Sequence, residues 1–178
     1  TITRLTSRIL ARSHYTRKPF DAAASSKFLD QYLDALDPSH LIFLQSDVAD
    51  FELYRNSLDV LTLKDGDTTP AYVIFKRMLK RFDQQVEFVN EKLKFAKMDF
   101  TGNDHYQISR KDAPRPRDIE EARQLWWDRL RYEYLQEKLN KQKPEEIVKV
   151  IERRYARIQR FLKEYDSDDV LQLYLTSL

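Results

Sequence analysis

The side chains best suited to bind a transition metal or move a proton are three histidines, His14, His40 and His105, and they are scattered without any His-x-x-x-His pairing. Histidines so placed read as surface or capping groups, so no metal ligand and no cofactor site is expected. The absence of cysteine removes disulfides, thiolate nucleophiles and cysteine metal sites. A serine nucleophile on a strained elbow needs flanking glycines, and a phosphate loop needs two in one short segment. The only glycines, Gly66 and Gly102, lie far apart and supply neither. Carboxylate pairs such as Asp168 with Asp169 read as a solvated face, because acid–base work needs a perturbed environment. No catalytic residue is expected in this chain.

Two patterns point to binding. Lys149, Arg153, Arg157 and Arg160 step along one helix as a basic row of the kind that tracks phosphates, but Glu146, Glu152 and Glu164 interleave it. Opposite charges three and four residues apart are ordinary helix stabilisers, so the row reads as a solvated face. Aromatic residues make up 12% of the chain and include the pair Trp126-Trp127. Neighbours on a helix point about 100° apart, so one of the two is expected to be partly exposed, as an interface residue would be.

The elements that would position these groups are helices. Ile2, Leu5, Ile9 and Leu10 recur at helical spacing, and Phe28, Leu29, Tyr32, Leu33 and Leu36 do so before Pro38. Leu41-Ile42-Phe43-Leu44 fits a short strand or a buried extended link. Ser46 or Asp47 then caps a helix with Phe51, Tyr54, Leu58 and Leu61 on one face. After the turn Lys64-Asp65-Gly66-Asp67, Thr69 and Pro70 open the clearest helix, about 40 Å long, whose stripe includes Ile74, Met78, Phe82, Val86, Val89 and Leu93. Periodicity vanishes over 98–117, which predicts an irregular segment packed through Met98, Phe100, Tyr106 and Ile108. Asp118 with Glu121 resembles a capping box for the next helix, Pro144 opens another, and Ser167 caps a last one through Leu171, Tyr174, Leu175 and Leu178. The fold class is therefore all-α, an irregular multi-helix domain of about six or seven helices with one long packed loop, 98–117.

The chain has 178 residues, 34% charged and 42% apolar, with a net charge of +2. That length supports one domain by default, and the near balance of charge draws it neither to nucleic acid nor to an anionic membrane surface. The longest apolar run is the five residues 71–75, far short of a membrane span. The opening Thr-Ile-Thr-Arg has neither an initiating Met nor a leader, which leads us to expect that the ends are cuts.

The stretch Met98-Asp99-Phe100-Thr101-Gly102-Asn103-Asp104, followed by Lys111-Asp112-Ala113-Pro114, resembles the amino-terminal domain of bacterial tail-specific proteases, the carboxyl-terminal processing peptidases. Leu5-Thr6-Ser7-Arg8 with His14-Tyr15, Leu36-Asp37-Pro38-Ser39-His40, Ser46-Asp47-Val48, Leu125-Trp126 with Leu135, Arg153-Arg154-Tyr155 and Ser167-Asp168-Asp169-Val170 are similar to that family in the same order. Arg115 departs from it, standing where relatives often carry Trp between the two prolines.

The resemblance implies a periplasmic serine endopeptidase in which this helical domain precedes a PDZ domain and a protease domain with a Ser–Lys pair. The PDZ domain would recognise the apolar carboxyl terminus of a substrate, and the helical domain would shape access to the cleft and offer surfaces to partners. Those partners would be the rest of the parent chain, protein substrates and an adaptor protein, with no nucleic acid. No catalytic residue carries over. Residues 1–165 would form the helical domain and 166–178 the start of a helix leading into the following region. Interface candidates are Phe100, Arg115, Trp126 and Trp127. The alternatives are a free-standing helical adaptor that binds proteins and a nucleic-acid-binding module resting on the basic row.

Overall fold

The structure is a computed structural model that describes residues 22–95 and 98–177, so the expected helix through Ile2 and Leu10, His14 and the matching stretches around them lie outside the described residues. The described residues form six α-helices and no strand, the all-α class expected. They are α1 (Ala22–Leu36), α2 (Gln45–Phe51), α3 (Thr69–Phe95), α4 (Ile119–Leu139), α5 (Pro144–Lys163) and α6 (Ser167–Leu175), with a 3-10 turn at Glu52–Tyr54 and a π-helical turn at Asp59–Asp65. Leu41-Ile42-Phe43-Leu44 is an irregular link that bends at Ile42 and forms no strand, and Leu41, Phe43 and Leu44 are buried. No helix among the described residues is long and apolar enough to cross a membrane.

The chain divides into two compact units. The first comprises Thr1–Pro38, Asp47–Arg77 and Asp166–Leu178. Its core gathers Phe28, Leu29 and Tyr32 of α1, Phe51, Leu58, Ile74 and Phe75, and Val170 and Tyr174 of α6. Tyr174 is its hub. Its ring lies 4.5 Å from Phe28 and 4.9 Å from Tyr32, and its hydroxyl shares a 2.9 Å hydrogen bond with Thr62. The Tyr32 hydroxyl donates to the Ala71 carbonyl at 3.1 Å, so both Tyr32 and Tyr174 have a polar partner. Burial, and for Tyr174 the nearby Asp67 as well, pushes both hydroxyls' pKa up, which keeps them protonated.

The helix expected over the decade after Ser46 is broken into three pieces. α2 stops at Phe51, a 3-10 turn follows, and the π-helical turn ends at Gly66, whose φ of 72° suits glycine. Arg55 sits at the break and donates to Glu52, Ser26 and Asp30, an arrangement tied to α1. Asp47, fully buried at the start of α2, is held by Arg77, which also lies 5.8 Å over the Phe51 ring. α6 begins differently from expectation as well. Asp166, not Ser167, is the cap, accepting from the amides of Asp168 and Asp169, while Asp169 reaches back to the Asp166 amide. α6 buries Val170 and Tyr174, whereas Leu171 and Leu175 are half-buried.

The second unit comprises Ser39–Ser46 and Met78–Tyr165. α4 and α5 pack on one another, and Leu130, Tyr134, Ile147, Ile151 and Tyr155 are their buried residues in this region. Arg154 bridges to Glu133 and Glu137, and Tyr155 stacks on Phe82 at 6.4 Å. α4 closes on a left-handed Lys141 (φ 62°), with the Gln142 amide reaching the Glu137 carbonyl and the Lys141 amide the Lys138 carbonyl, a Schellman ending without its usual glycine.

Candidate interaction surface

The irregular stretch 98–117 is held along its length in the second unit. Asp99 folds the chain back by accepting from the Thr101 amide and hydroxyl, and these hydrogen bonds hold its carboxyl below the usual range. Phe100 stacks on Tyr134 at 6.0 Å, with Arg131 and Lys138 cations 5.8 and 5.2 Å from its ring centre. Arg131 also donates to the Asp99 carbonyl and to Asp104. Tyr106 stacks on Tyr132 at 4.6 Å. Ile108 is not an anchor: it is 73% exposed, and polar contacts do the holding at that end.

Those contacts come from the link 39–46. The His40 Nδ1 proton is donated to the Ala113 carbonyl at 2.6 Å, which fixes the proton on that nitrogen, and His40 itself sits at φ 50°. The Gln45 amide and side chain donate to the carbonyls of Pro116 and Arg115, both at 2.9 Å. Arg115 lays its guanidinium 5.6 Å over the Phe43 ring. α4 then starts at Asp118, which caps the amides of Glu120 and Glu121. The return arm of the expected capping box is redirected, because Glu121 accepts from the amide and side chain of Arg117 instead of the Asp118 amide.

The tryptophan pair separates as helical geometry requires. Trp126 is 1% exposed, packed with Leu44 and Ala122, and its indole N–H donates to the Leu41 carbonyl at 2.7 Å. It is a core residue, not a surface one. Trp127 is half-buried and lines a cleft of about 680 Å³ between α3 and α4, with Phe88 and Ile119 as further apolar lining and Glu87, Glu91 and Arg123 among its charged edges. Phe100 lines a second cleft of about 370 Å³ with Asp104, His105, Tyr106 and Arg131. Gln124 borders both. The four candidates thus do not form one patch. Residues the sequence pattern missed are Glu87 and Glu91, whose i,i+4 spacing beside Phe88 was the available signal.

The chain matches the family model described as the tail specific protease N-terminal domain over residues 6–178. It belongs to that family. It is also 33% identical, over 169 residues, to the tail-specific protease of Haemophilus influenzae, a match that covers 94% of this chain and 24% of that relative. The chain thus spans about a quarter of the relative's length. Within this tail-specific protease N-terminal domain, the stretch 98–104 is the segment pinned by Arg131 and Tyr134, and the stretch 111–114 is the one that His40 holds. The basic row Lys149, Arg153, Arg157 and Arg160 is exposed on α5, where Arg153 donates back to the Lys149 carbonyl. Among the described residues no group of three His, Asp or Glu side chains is arranged to hold a metal ion.

Proposed function

We propose that this chain is the non-catalytic amino-terminal domain of a periplasmic carboxyl-terminal processing protease. The observation that carries the reading is the match to the family's N-terminal domain over residues 6–178. The nucleophile, its lysine base and a PDZ module that takes up the apolar carboxyl terminus of a substrate belong, in this reading, to the region after Leu178. The chain's own residues support a division of labour. Two distant glycines give no nucleophile elbow, whereas helices held within each unit by buried aromatic contacts suit a scaffold that limits access to a cleft and presents surfaces to an adaptor. Residues 166–178 would carry the chain onward, from a helix anchored by Val170 and Tyr174.

The test is made on the whole parent protein and on this chain side by side. The parent is expected to cleave a folded substrate bearing an apolar carboxyl-terminal tail and to lose that activity when its nucleophilic serine becomes alanine. The chain alone is expected to be inert. Cleavage by the purified chain that a single substitution within it abolishes would overturn the reading. So would a parent gene encoding no protease after this region, or fractionation of the parent to the cytoplasm.

A further inference from the structure

We propose that the cleft between α3 and α4 receives an amphipathic helix from a separate protein, one whose apolar stripe is flanked by Lys and Arg. This inference stands on the cleft itself and does not depend on the proteolytic reading of the parent.

The walls come first. Glu87, Phe88 and Glu91 follow one another along α3 at helical spacing, and Ile119, Arg123 and Trp127 do the same along α4, enclosing about 680 Å³. The two rows of side chains bound a trough that holds a few apolar groups of an occupant. Both walls are helices whose amides are committed to their own hydrogen bonds, so the trough offers no sheet edge. An extended peptide would find no backbone partners there, whereas a helix satisfies its own.

Charge then selects the occupant. Glu120 is engaged by Arg123 at 2.8 Å, and the Lys92 ammonium lies 5.3 Å over the Phe88 ring. Gln124 donates to Asp128, and Gln84 accepts from Arg81. Glu87 and Glu91 are exposed and make no ion pair among the described residues, and with Lys92 counted against them the unpaired charge on the walls is still net negative. Basic groups beside the occupant's apolar stripe would meet it.

Trp127 supplies the anchor. It is half-buried, and its indole N–H has no acceptor among the described residues, unlike the N–H of Trp126, which Leu41 takes. A large side chain with an apolar body and an unused donor is the type that dominates interface energies. The apolar floor is narrow and its rims are charged, the composition of an interface that forms and dissolves, which is why we assign a separate polypeptide over a permanently packed segment of the same protein.

The probe is a fluorescein-labelled, lactam-stapled helix of about 18 residues, long enough to stay helical once stapled, with Leu at i, i+4 and i+7 and Arg along one flank. Its twin carries Glu in place of Arg. Anisotropy with the 178-residue chain is expected to show micromolar binding of the Arg helix, weakening as salt rises, and little binding of the Glu helix. The double reversal Glu87→Lys with Glu91→Lys, at exposed positions that leave the fold intact, is expected to weaken the Arg helix at least about tenfold and to admit the Glu helix. Trp127→Ala is expected to weaken it by a similar factor, and Trp127→Phe, which keeps the packing and removes the donor, by less. The proposal falls if both helices bind alike, if the reversal leaves affinity unchanged, or if the Arg helix does not bind. It also falls if the chain sediments as a dimer that Trp127→Ala dissolves, which would put a second copy in the cleft. Binding to this chain but not to the full-length parent would mean that the parent covers the cleft itself, and would overturn the separate partner.

Discussion

The segments 45–65 and 98–117 reverse the usual relation between pattern and order. The first has apolar residues at helical spacing, yet its backbone passes through three helical types between Gln45 and Asp65. The second has no periodicity, yet Arg131, His40 and Gln45 bind its carbonyls and Tyr134 and Tyr132 stack on its rings. Apolar spacing reports which side chains go inward. It does not report the path by which the backbone delivers them. In 45–65 the inward set includes Thr62, a polar residue that must meet Tyr174, and Arg55, which must reach Ser26 and Asp30. A straight helix is given up to satisfy them. In 98–117 order comes from ring stacks and from polar groups bound within the stretch, by side chains of α4 and by the link 39–46.

The largest test of this contrast is Trp126→Ala. It opens a cavity under the link 39–46 and removes the indole N–H that donates to the Leu41 carbonyl, and we expect a loss of about 3–5 kcal/mol in chemical denaturation. Amide exchange should quicken together in 39–46 and 113–117. A loss below about 1 kcal/mol would mean that the link does not hold the loop.

Asp47→Ala addresses the other region. It removes a fully buried carboxylate from Arg77 but leaves Asp50 as that cation's second partner at 3.0 Å, so we expect about 2 kcal/mol, less than an isolated buried charge would cost. If α2 keeps its protection in exchange experiments despite that loss, the pair is not what starts the helix. Phe100→Ala is expected to cost about 1 kcal/mol through the lost stack and cation contacts, with faster exchange confined to 98–108. Ile108→Ser, at an exposed position, should leave stability unchanged, and an equal effect from the two would erase the distinction between them.

The smallest expected effect is shared by both regions. Hydrogen bonds from Arg55 to Glu52 and from Thr69 to Asp67 lower those carboxyls' pKa, and Thr101 and Arg117 do the same for Asp99 and Glu121. Each folded pKa lies below its unfolded value, so the unfolded chain binds more protons as pH falls. The stabilisation is present above the ordinary carboxylate range and is lost through and below it. Thermal unfolding should therefore weaken below about pH 4.5, the upper end of that range, and the slope should shrink in high salt because these groups are exposed. A melting temperature that rises on acidification would contradict the assignment.

Helix starts were legible where the cap is local. Asp118 and Pro144 stand where expected, and the last helix starts one position earlier than expected because the Asp166 carboxylate takes the amides of Asp168 and Asp169. The candidate surface was legible in part. Helical geometry requires Trp126 and Trp127 to diverge, but nothing within four residues of either says which is buried. Glu87 and Glu91 carry no local mark of a surface role, because α4 stands opposite them only in the folded chain.

What the sequence alone determined is the helical class, the prolines at the joints, the long stripe of α3 and the need for an irregular 98–117, because each depends on residues within about one or two turns of one another. The tertiary structure decided the rest. The Trp126 indole is oriented by a carbonyl 85 positions away, and Thr62 is turned inward by a phenol 112 positions away. The His40 ring is held by a carbonyl 73 positions away. A hydrogen-bond partner at that separation leaves no trace in local spacing, since the chain between can take any length and composition that closes the loop.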